Sequence, residues 1–164
     1  MAKHTLLDEP PSPEEQFKDA MGKAGRFLAR RPHSRAELGV KLRSFEPETV
    51  ESALVRLEEL GLIDDAAFAA QWVKERSSTK GARALEAELA QKGVAPEVIS
   101  EALGEAGDET KRADELASRY LRRVVNKPPA KQAASIQGML LRRGFGLDVA
   151  IQAARRVLPP EGWD

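Results

Sequence analysis

Three short stretches of the sequence concentrate cationic side chains: Arg30, Arg31, His33 and Arg35; then Lys74, Arg76, Lys80 and Arg83; then Arg122, Arg123, Lys127 and Lys131. Guanidinium and ammonium groups at this density hold phosphate or carboxylate by charge and hydrogen bonding. Groups that make or break covalent bonds do not assemble in the pattern. His4 and His33 are the only histidines, and neither has a second histidine at metal-ligand spacing. The absence of cysteine excludes disulfides, thiolate nucleophiles and cysteine–metal sites. "GKAGRF" lacks the spacing of a phosphate-cradling loop, and Asp64–Asp65 reads as the acidic start of a helix. The expected chemistry is therefore reversible binding by a protein that is not an enzyme and carries no cofactor or metal.

The elements that must position these cations are helices. Alanine, leucine, glutamate and arginine are prominent, aromatics make up 5% and charged residues 32% of the chain, which points to an all-α fold. Ser12–Pro13–Glu15 and Ser34–Glu37 read as capping boxes, and Pro47, Pro96 and Pro129 as first-turn prolines. Gly61, Gly93 and Gly144 follow apolar-periodic runs, where a left-handed residue closes a helix. Apolar residues three and four apart between these marks give about nine helices.

A self-comparison groups the helices. Leu38 and Leu42 align with Leu85 and Leu89, and these with Ile136 and Leu140, at shifts close to fifty residues; "VESAL" aligns with "ISEAL" in the helix that follows. We read three tandem three-helix repeats, 16–61, 62–106 and 107–158, with flexible tails at 1–15 and 159–164. Units this small share apolar faces with their neighbours, so an elongated array is expected. In each repeat the turn after the first helix carries a basic cluster, and stacked repeats would set the clusters along one flank. The alternative for any one cluster is ordinary: cations near a helix C-terminus offset its dipole and sit well in water.

The formal net charge of +0 conceals uneven blocks. Residues 44–69 hold seven acids against one base, whereas 119–156 hold nine bases against one acid. Phe27, Phe68, Trp72, Tyr120 and Phe145 fall at core-facing periods, which favours packing over base stacking. No apolar run reaches the length of a membrane span and no leader pattern opens the chain, so a cytoplasmic monomer is expected.

"HSRAELGVKL", "VESALVRLEELGLIDDAAFAAQWV", "KGARALEAELAQKGVAPEVISEAL" and "LLRRGF", in this order, resemble the RecX family of bacterial recombinase regulators over about residues 22–157. The resemblance implies three tandem three-helix repeats and binding to the RecA–DNA filament, with down-regulation of its ATPase and strand exchange in DNA repair. The array would lie in the filament groove, its basic turns facing DNA phosphates or acidic protein surface. Contact candidates are Arg30, Arg31 and Arg35; Lys74, Arg76, Lys80, Arg83 and Lys92; and Arg122, Arg123, Lys127, Lys131, Arg142 and Arg143. Contact with DNA, single-stranded and secondarily double-stranded, would be independent of base sequence. Two other classes fit the pattern less well: a duplex-reading helix-turn-helix module, whose third helices are here acidic, and a scaffold that binds protein alone.

Overall fold

A computed structural model describes residues 9–159; residues 1–8 and 160–164, most of the two expected tails, lie outside it. The described residues form nine α-helices and no strand: α1 (Pro13–Arg30), α2 (Arg35–Lys41), α3 (Pro47–Glu59), α4 (Asp65–Arg76), α5 (Ala82–Gln91), α6 (Pro96–Gly104), α7 (Glu109–Val124), α8 (Pro129–Arg142) and α9 (Leu147–Val157). None is long and apolar enough to cross a membrane.

The local signals act as their chemistry requires. Ser12 Oγ accepts from the Glu15 amide while the Glu15 carboxylate accepts from the Ser12 amide, which satisfies two otherwise orphaned donors of α1. Ser34 and Glu37 repeat the arrangement at α2. Pro47, Pro96 and Pro129 open α3, α6 and α8, where a missing amide hydrogen costs nothing.

Three apolar clusters follow, each built by three consecutive helices. The first is formed by Leu38, Leu42, Leu54, Leu57 and Ile63, the second by Phe68, Val73, Leu85, Leu89 and Ile99, the third by Val124, Ile136, Leu140 and Phe145 with alanines of α7 and α9. The residues that align in the sequence play equivalent parts, because Leu38, Leu85 and Ile136, and likewise Leu42, Leu89 and Leu140, are all fully buried. The first helix of each trio buries a small pair one turn apart, Ala20/Ala24, Ala69/Val73 and Ala113/Ala117. The chain divides between Asp64 and Asp65 into two compact units. The N-terminal unit holds α1–α3 and the C-terminal unit holds α4–α9.

Within the C-terminal unit the second and third trios are clasped backbone to backbone. The Gly81 amide donates to the Arg143 carbonyl at 2.8 Å, and the Arg83 amide to the Gly144 carbonyl at 3.2 Å. The Ala82 amide donates to Glu109 Oε1 at 3.1 Å from the start of α7. The α4–α5 turn is thus held against the end of α8. The clasp sets Ser78 and Thr79 of that turn beside the cations of α7 and the end of α8.

Candidate nucleic-acid interface

The first basic cluster is largely consumed by the fold. Arg31 pairs with Glu37 through two contacts, 3.0 and 3.3 Å. Arg35 reaches from α2 to α3, donating to Glu51 at 2.7 Å and to Glu58. Hydrogen bonding first to Glu51 and then to Glu58 holds the Arg35 guanidinium above its ordinary pKa. Arg30 is exposed at the end of α1 and has no ion pair among the described residues.

His33, which the sequence places in this cluster, is 4% exposed and belongs to the core. Its ring meets Phe27 edge-on at 5.9 Å, and Nδ1 donates to the Arg31 carbonyl at 2.9 Å. Burial pushes its pKa below the ordinary value, more strongly than the Arg31 hydrogen bond raises it. The unfolded chain therefore binds the proton first. The contribution of His33 to stability is complete above about pH 6.5 and declines as the pH falls below that value toward the lowered folded pKa. In the His33→Gln variant the melting temperature, lower overall, should lose this downward slope just below pH 6.5; an unchanged slope in a pH series of melts would contradict a buried neutral His33.

The second cluster is split. Trp72 is flanked by the Arg76 guanidinium, 3.4 Å from the ring centroid, and by the Lys92 ammonium at 5.3 Å. Glu88 accepts from Trp72 Nε1 at 3.1 Å and from Lys80 Nζ. Burial opposes ionisation of Glu88, but the hydrogen bonds from Lys80 and Trp72 prevail and hold its pKa below the usual value. Arg76 also pairs with Glu75 at 3.2 Å. Lys74 and Arg83 are exposed, and neither has an ion pair among the described residues. Trp72 is half-buried and packs against the second apolar cluster, as its period suggested, and it also serves as the platform for these cations.

The third cluster is left open. Arg122, Arg123, Lys127, Lys131, Arg142 and Arg143 are all exposed, and none makes an ion pair among the described residues. Lys127 donates to Ser135 at 3.1 Å, which leaves its charge uncompensated. Arg119, not among the contact candidates, joins them: it donates to the Ser78 carbonyl at 2.7 Å, across to the α4–α5 turn. Its spacing of four from Arg123 on α7, one helical turn, is the signal that marks it.

A cavity of about 220 Å³ lies at this junction, lined by Thr79, Leu116, Arg119, Tyr120, Arg123, Met139 and Arg143. The structure therefore brings Arg123 and Arg143 together with Arg119, whereas the acid-paired Arg31 and Arg35 belong to the N-terminal unit. Among the described residues no three His, Cys, Asp or Glu are grouped to hold a metal ion. Uncompensated guanidinium groups around a small cavity recognise anions, phosphodiesters above all, since the planar fork matches phosphate oxygens two at a time.

Comparison with known proteins places this architecture. Residues 20–57 match the first three-helix domain of RecX and residues 64–103 the second. The chain is 42% identical to the regulatory protein RecX of Mycobacterium sp. (strain JLS), with 88% of this chain and 82% of the relative covered. It is 38% identical to that of Mycobacterium tuberculosis (strain ATCC 25177 / H37Ra), with 96% of each covered. The fold is shared with the crystal structure of RecX from Lactobacillus salivarius, at a TM-score of 0.78 and 22% identity over 88% of this chain and 97% of that one. A second crystal structure, of regulatory protein RecX, superposes with a TM-score of 0.73 at 27% identity, covering 87% of this chain and 74% of that one. With paired three-helix domains, full-length relatives and a common fold in agreement, the chain belongs to the RecX family of regulatory proteins.

Proposed function

We propose that this protein binds the RecA–DNA filament and lowers its ATPase and strand-exchange activity by occupancy alone, without catalysis. The observation that carries the reading is the set of six exposed, acid-free cations on α7, α8 and their turns, Arg122 to Arg143. Cations left unpaired on a folded surface are available to phosphate, and each one that meets a phosphodiester releases condensed counterions. Arg119, Arg123 and Arg143 form the centre of the DNA-facing surface; Lys74 and Arg83 extend it. Arg31 and Arg35 serve the fold of the N-terminal unit, and its acidic α3 faces protein or solvent. Many weak contacts along a polymer reinforce one another through effective concentration, so a short chain suffices.

The test is RecA ATPase on single-stranded DNA with this protein in excess. Turnover should fall with added protein and recover when salt is raised. Full turnover at saturating protein would remove the regulatory reading for this chain.

A further inference from the structure

The cavity between α7 and α8 has more than a charged surface needs. The buried and half-buried part of its lining is mostly apolar, Leu116, Tyr120 and Met139, with Thr79 as its polar member. The exposed part carries Arg119, Arg123 and Arg143, and no carboxylate lines it. Arg119 is fixed by its 2.7 Å bond to Ser78, while Arg123 and Arg143 have no ion-pair partner among the described residues. Three like charges around one opening raise the local positive potential, and an anion that joins them relieves their mutual repulsion.

At about 220 Å³ the space is smaller than the roughly 300–1,000 Å³ that encloses a whole small-molecule ligand. A single ring-sized group is the most it has room for. An aromatic side chain beside guanidinium planes is the combination on which unstacked bases settle, and bases within a duplex are already stacked and cannot enter.

We propose that this cavity is a subsite for one nucleotide of single-stranded DNA, its base against Tyr120 and the apolar lining and its phosphate between Arg123 and Arg143. The proposal rests on the DNA-facing reading of the α7–α8 surface. It adds that binding here discriminates single strands from duplexes and intact nucleotides from a bare sugar–phosphate chain. Arg119 would act as a positioning residue, holding the α4–α5 turn and Thr79 at the mouth.

The test compares fluorescein-labelled oligothymidylate with an abasic oligonucleotide of the same length, using the full chain at one fixed salt concentration. The wild type should bind oligothymidylate about fivefold or more tightly than the abasic strand. Tyr120→Leu should erase that preference by weakening oligothymidylate alone, Tyr120→Phe should keep it, and Arg123→Gln should weaken both strands. Circular dichroism confirms that each variant keeps its helices. Equal wild-type affinity for the two strands overturns the subsite and leaves the electrostatic interface standing; so does a Tyr120→Leu variant that remains folded and keeps the preference. If neither strand binds the wild type, the DNA-facing reading fails and the subsite with it. Polyglutamate that binds as tightly as oligothymidylate, with the same dependence on Tyr120, would make an acidic peptide the occupant and overturn the proposal.

Discussion

Alanine at Gly144 should cost the C-terminal unit about 2–5 kcal/mol, the largest stability loss expected from adding a single methyl group to this protein. Two effects combine. Gly144 has a φ of 91°, where a side chain costs about 1–2 kcal/mol. A Cβ there would also stand 2.5 Å from the Ala84 nitrogen, a collision that well-packed interiors resolve at about 1–3 kcal/mol. Gly107 separates the two effects, since at φ 82° nothing lies within 4 Å of its would-be Cβ. Gly107→Ala should therefore show the backbone cost alone. Urea unfolding followed by helical circular dichroism reads both variants. Equal losses would mean that the α4–α5 turn does not rest on Gly144, and the cavity beside it would not be held as described.

Exchanging Arg122, Arg123, Arg142 and Arg143 for glutamine should weaken single-stranded DNA binding on the order of 100-fold near 0.1 M salt. The slope of log affinity against log salt should flatten by up to about 2.8, or about 0.7 for each phosphate that is no longer neutralised. All four side chains are exposed and free of ion pairs, so their removal leaves no carboxylate stranded. The matched control is Arg31→Gln with Arg35→Gln. Those two arginines are engaged by Glu37, Glu51 and Glu58, and their loss should leave the slope unchanged while shifting stability by about 1 kcal/mol or less. A slope that flattens equally in both variants would place the first cluster on the DNA as well.

The helices were legible in the sequence because the signals that specify them are local. Ser12 and Ser34 cap within four residues of themselves, and the aligned leucines of successive repeats are buried by the same helix geometry each time. Charge pairing is a different matter. Arg35 meets Glu51 and Glu58 across separations of 16 and 23 residues, a consequence of how α2 lies on α3 that no spacing rule exposes. His33 and Arg31 look alike as members of a basic turn, yet one is in the core and the other in an ion pair. Tyr120 has a core-facing period and is half-buried, but the side it leaves uncovered lines the cavity. Arg143 meets Arg119 and Arg123 because α8 packs on α7, and the Gly81–Gly144 clasp adds Thr79 to the same cavity; both contacts are tertiary from the outset.

Hydrogen exchange of the full chain, with and without RecA filaments assembled on single-stranded DNA, tests the assignment of the contact surface most directly. Bound filament should slow exchange at the ends of α7 and α8 and in the turns that follow them, residues 119–128 and 139–146, while α1 and α2 exchange as they do in the free protein. Protection confined to the N-terminal unit, or none in the C-terminal unit at saturation, would contradict the assignment.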